Sequence, residues 1–199
     1  MVQIRLVSVF AATVLAWVTS AHITLEDIDS LRSITKDCNE KIRALKSAHK
    51  GNPAQVVILD NESSKDEIED VVAGSLTYLN GELLSLLNIP VKDIAIEKPN
   101  CPEVLKHCHV FLQATTRFLQ AVDEKQQEFG WDTESTIYNA LGWMQSLWAS
   151  RSANEQHLSF IEQQLRLYKA SSCFNNVNDI LRQDVEVVEY LNDLMDTFR

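Results

Sequence analysis

Four cysteines and a His-Cys-His triplet are the groups in this 199-residue chain whose type and spacing raise a question of chemistry. An even set of cysteines, Cys38, Cys101, Cys108 and Cys173, reads as two disulfides in an oxidising compartment rather than as thiols or metal ligands. Cys101 and Cys108 are close enough in sequence to close a small loop, which leaves Cys38 to join Cys173. Four cysteines allow three connectivities, and the other two stay open at this point. His107 and His109 flank Cys108, but residues two apart diverge on a helix, so no metal site is expected. No glycine-rich phosphate loop, nucleophile elbow or His-Glu-x-x-His pattern is present. The carboxylates are scattered, without an environment that would set one apart as an acid or base. We therefore expect no enzyme and no cofactor, which leaves binding.

The first residues bear on the compartment. Arg5 precedes an apolar run from Leu6 to Val18, and Thr19-Ser20-Ala21 offers small residues before His22, so residues 1–21 read as a secretory signal peptide. The run is shorter than the roughly 20 residues a membrane helix needs. The expectation is a secreted, extracellular protein without membrane insertion after cleavage, with residues 22–199 forming a single helical domain. Cleavage would remove one basic residue and no acidic one, leaving 17 basic against 28 acidic side chains. That balance argues against nucleic acid or an anionic membrane as partner.

Apolar periodicity supplies the elements. Ile28, Leu31, Ile34, Cys38, Ile42 and Leu45 recur at three or four residues, predicting a first helix over 24–49 with Thr24 as its N-cap. Gly51-Asn52-Pro53 ends it, and the connection that follows carries an Asn-x-Ser glycosylation acceptor at Asn61. A segment over 66–87 is helical but weakened by Gly74 and Gly81, and Pro90 stops it. A long helix over 102–129 presents Leu105, Cys108, Leu112, Thr115, Leu119 and Val122, with Phe111, Phe118 and Phe129 on its flank. After a turn at Gly130-Trp131-Asp132, a helix over 133–150 has the stripe Ile137, Leu141, Met144 and Trp148. Residues 151–172 also read as helical, through Leu158, Ile161, Leu165 and Tyr168. The last helix, 174–198, carries Val177, Leu181, Val188, Leu191 and Met195.

Two features stand out against this pattern. Asp184 falls on the apolar face of the last helix, where a carboxylate needs a partner; a Lys or Arg from another helix is the expected one. Trp143 falls off the stripe of its own helix and is either covered by a connection or exposed as an interface anchor. Trp131 is a weaker anchor candidate, since tryptophans at turns often close the end of a core. Tyr190 also lies off the apolar face of its helix.

From Leu86 onward the order Leu-Leu, Asn88-Ile89-Pro90, a connector, Cys101-Pro102, Cys108 and an apolar helix resembles the long-chain helical cytokines of the interleukin-6 and granulocyte colony-stimulating factor group. The ending, Leu167-Tyr168-Lys169, Cys173 and Val187-Val188-Glu189-Tyr190-Leu191-Asn192, is similar to the interleukin-12 alpha subunit. The resemblance covers about half of the chain beyond the leader. It implies an all-α, up-up-down-down four-helix bundle with two long crossovers, here with extra helical segments in the connections. It implies a protein that brings together class I cytokine receptors at the cell surface, alone or with a soluble partner chain in a heterodimer. It also implies a receptor face on the first helix opposite its stripe: Asp29, Arg32, Lys36, Glu40 and Arg43. The competing expectation is a secreted helical carrier or effector binding a small apolar ligand or host protein. A carrier would have a cavity lined by residues such as Phe111, Phe118 and Met144; a cytokine would have a tight core and an exposed Trp143.

Overall fold

Most helices of this chain begin at a residue that can hold the free N–H groups of the first turn, with an acid three positions on. The computed structural model describes residues 23–45, 64–87, 100–129, 136–149, 159–170, 173 and 177–197. Among these, six α-helices account for nearly everything and no strand occurs: α1 Leu25–Ala44, α2 Lys65–Leu87, α3 Cys101–Phe129, α4 Thr136–Ala149, α5 Phe160–Ala170 and α6 Asn178–Asp196. The expected signal peptide, Asn61 and Trp131 lie outside the described residues. No described helix is long and apolar enough to cross a membrane.

The N-caps explain four of the six starts. At α1 the Asp27 N–H donates to Thr24 Oγ1 at 3.2 Å, and Thr24 N–H returns a bond to Asp27 Oδ2 at 2.8 Å. Ser159 and Glu162 form the same reciprocal pair at α5, at 3.3 and 3.1 Å. The Glu67 N–H donates to Ser64 at α2, and the Glu103 N–H to Asn100 at α3. Each pair satisfies donors the helix itself leaves open, and its acid sits at the positive end of the helix dipole.

Helix α1 packs on α2 and α3, α2 on α4, α4 on α6, and α6 returns to α3. Helix α5 lies against α4, α2 and α3. Paired contacts give the sense of each neighbour. Asp29 meets His107 near the starts of α1 and α3, and Arg43 meets Glu124 near their ends, so these helices run parallel. His109 meets Gln183 and Gln126 meets Thr197, so α6 also runs parallel to α3. Gln145 meets Asn192, while Gly142 faces Met195, so α4 runs against α6.

The up-up-down-down expectation therefore gives way for the described residues, because α6 points the same way as α1 and α3. The two extra segments are core helices rather than decorations of crossovers. In α2, Ile68, Val72, Leu76, Leu79 and Leu83 are wholly buried. In α5, Phe160 packs 5.3 Å from Phe111 and 4.8 Å from Trp148, ring centre to ring centre, while Phe111 stacks on Trp148 at 5.7 Å. These three rings, from α3, α5 and α4, fill the junction of their helices, and Phe118 and Met144 are equally buried. Burying rings of this size supplies the largest single contributions to a core.

Candidate functional site: helix faces and the buried Asp184 cluster

The charged face of α1 divides into latched and free parts. Near its start Asp29 pairs with Arg32 at 3.7 Å and is approached by His107 Nδ1 at 3.0 Å. Near its end Arg43 pairs with Glu124 at 3.6 Å and donates to Asn39 at 3.1 Å, and the buried Lys125 ammonium caps the helix by donating to the Leu45 carbonyl at 2.8 Å. Between them Lys36 and Glu40 are exposed. Solvated pairs such as these contribute little to stability, so the charged face of α1 does little to brace the fold.

Tyr190 is half-buried. Its hydroxyl donates to Asp123 at 3.0 Å, joining α6 to α3. Burial, with Asp123 beside it, pushes the phenol pKa up to about 12. Trp143 is 36 % exposed, and Tyr78 on the neighbouring α2 is 53 % exposed.

The cysteine pairing differs from the expectation. Cys101 is bonded to Cys173 across 72 residues, with Cα atoms 5.0 Å apart, while Cys38 and Cys108 are buried free thiols. The local Cys101–Cys108 bridge fails because both residues belong to one continuous helix, where two turns separate them by about 10 Å. Cys38 sits in the α1–α2 contact, its thiol 3.7 Å from the Ser75 carbonyl. Burial raises the pKa of both thiols, that of Cys108 to about 12.

Asp184 is 1 % exposed and lies in the middle of the buried stripe Ile180, Val187, Leu191 and Leu194. Its partners are neutral, not the expected Lys or Arg. With its amide nitrogen turned inward, Gln164 of α5 donates to Asp184 Oδ2 at 2.7 Å and lies 3.1 Å from the Tyr168 hydroxyl; this orientation follows from the acceptors around it. The Tyr168 hydroxyl in turn meets the Cys108 thiol. The Trp148 indole N–H lies beside the carboxyl and lowers its pKa, without closing a hydrogen bond. Burial outweighs that help and pushes the Asp184 pKa up to about 7. Tyr168 is pushed well above the ordinary phenol range by the same burial.

This cluster joins α3, α4, α5 and α6. It is closed to solvent, so what it can do is take up or release a proton within the fold. The sequence pattern missed Gln164, and Gln163 beside it, which are both buried. The signal available was a Gln-to-Tyr step of four residues inside an apolar pattern, which puts both side chains on one helix face.

An open cleft of about 310 Å³ runs between α3 and α6, lined by Gln113, Thr116, Arg117, Gln120, Gln183 and Glu186 among others. At one end the His109 ring bridges two amides, with Nδ1 2.9 Å from Gln183 Oε1 and Nε2 2.9 Å from Gln113 Nε2. Among the described residues no group of three His, Cys, Asp or Glu side chains converges as a metal would require. Protein-family models, characterised proteins and solved structures yield no match to this chain.

Proposed function

We propose that this protein is a secreted, cytokine-like binding protein that acts through the outer faces of its helices on a cell-surface receptor. The observation that supports this over a carrier is the closed aromatic core. Phe111, Phe118 and Met144, the residues expected to line a ligand chamber, are wholly buried against protein, while Trp143 reaches solvent. The surface cleft between α3 and α6 is open, and six of its seven lining residues are polar or charged, unlike the enclosed apolar chamber a carrier needs.

The receptor surface in this reading is the free centre of the α1 face, Lys36 and Glu40, flanked by Arg32 and Arg43. Charge there sets specificity and association rate more than raw affinity. Trp143, in the monomer, and Tyr190 are the other contacts the reading considers. Tyr190 is the weaker of the two, because its hydroxyl is already committed to Asp123. The parallel course of α6 and α3 departs from the up-up-down-down group, so the reading rests on the resemblance of residues 86–122 and of the ending, and on surface character.

Saturable binding of the fluorescently labelled full chain to a panel of leukocyte and epithelial cells tests the proposal. We expect displaceable binding that the double substitution Lys36→Glu with Glu40→Lys weakens severalfold while the melting temperature stays unchanged. Absence of saturable binding across the panel, or recovery of the purified protein with a stoichiometric lipid by native mass spectrometry, overturns it.

A further inference from the structure

Charge is distributed unevenly over this molecule. Charged residues make up 23 % of the chain, and its net charge is −10. Yet α4 contains no Asp, Glu, Lys or Arg along its 14 residues, and α2 has only Glu82 from Val71 to its end. These two helices pack side by side, with Asn80 of α2 donating to the Ala140 carbonyl of α4 at 2.7 Å. From Val71 onward α2 forms with α4 a nearly uncharged wall on an acidic protein. Of the three large apolar side chains exposed among the described residues, Tyr78 and Trp143 belong to this wall; the third, Val185, is on α6.

The wall has a second peculiarity. Gly74 and Gly81 are exposed and seven residues apart, hence on one face of α2, and a Cβ at either would meet nothing within 4 Å. Each disfavours the helix by roughly 1 kcal/mol relative to alanine, and among the described residues no contact gains from the missing side chain. A glycine track of this kind lets another surface come close to a helix backbone.

We propose that the α2–α4 wall is the docking surface for a second copy of this chain. Charge decides the occupant. Two copies of net charge −10 repel one another, and among the described helix pairs this face, with Glu82 its one charged residue from Val71 onward, adds least to that repulsion. A partner recognised by opposite charge would gain nothing here. A two-fold axis through the wall brings the patch against itself, so that each Trp143 indole meets the glycine track of the other copy. The neutral part of the wall, residues 71–87 of α2 beside α4, is roughly 20 Å wide and about 20–25 Å long, the size of a weak, reversible interface rather than of the ~800 Å² per partner of a tight one.

Sedimentation of the purified full chain across a range of micromolar concentrations, at low and high salt, tests this independently of any receptor. We expect the mass to rise toward twice that of the monomer, more readily in high salt, which screens the acidic repulsion of the remaining surface. Trp143→Glu and, separately, Tyr78→Glu weaken the dimer by about tenfold or more with unchanged circular dichroism. A monomer at every concentration, or a dimer indifferent to both substitutions, overturns the proposal.

Discussion

The amide nitrogen of Gln164 on α5 reaches Oδ2 of Asp184 on α6 at 2.7 Å, in a region closed to solvent. A carboxyl in this setting, helped only by neutral donors, ionises with difficulty, and its pKa rises to about 7 from the ordinary 3.8. The unfolded chain then releases its Asp184 proton above pH 4 while the folded chain keeps it. Stability associated with this residue is fully present below about pH 4, declines as pH rises to about 7, and levels off above.

Asp184→Asn removes this dependence while keeping the shape of the side chain. We expect the variant and the parent to unfold at the same urea concentration at pH 4. At pH 8 the variant should be more stable by on the order of 2 kcal/mol, less than the full pKa shift implies because the Gln164 bond favours the carboxylate. Parallel loss of stability in both proteins between these pH values would sink this account.

Alkylation of the native protein, followed by peptide mapping without reduction, should find Cys101 joined to Cys173 and leave Cys38 and Cys108 unmodified until denaturant is added. Replacing both bonded cysteines by serine should lower stability by about 4 kcal/mol, as chain entropy gives for a loop of 72 residues.

Phe111→Ala opens a hole between Trp148 and Phe160. A loss of about 3–5 kcal/mol is expected from urea unfolding, with a decrease in near-ultraviolet circular dichroism as Trp148 loses its stacked neighbour.

Gly81→Ala, at an exposed helical position with open space, should raise the stability of the dilute monomer by about 0.5–1 kcal/mol. A loss would mean that something within the chain already occupies that space.

Helix positions were legible in the sequence because the N-cap and acid pairs and the apolar spacing act locally. In α5 and α6, Tyr168, Val177, Leu191 and Asp184 were rightly placed on the inward side, whereas Ile161, Leu165, Leu181, Val188 and Met195 are only partly buried, each one residue from a buried Phe160, Gln164, Ile180, Val187 or Leu194. Cys38, Cys108 and Trp148 were correctly placed on inward faces, while Phe111, read on the flank of its stripe, is wholly buried too. The sense of α6 was not legible, because it depends on contacts such as His109–Gln183 that span 74 residues. The disulfide partner of Cys101 was hidden for the same reason: periodicity shows which way a side chain faces, not which one it meets.

The Cys101–Cys173 bond encloses all of α3, α4 and α5 within one covalent ring and leaves α1 and α2 on an open tail of the chain. A protease that cuts within the ring opens it without releasing a piece, whereas a cut between α2 and α3 frees the first two helices outright. Nicked samples should therefore run intact on a non-reducing gel and fall apart under reduction only when the cut lies inside the ring, which makes the gel itself a map of where the chain was opened.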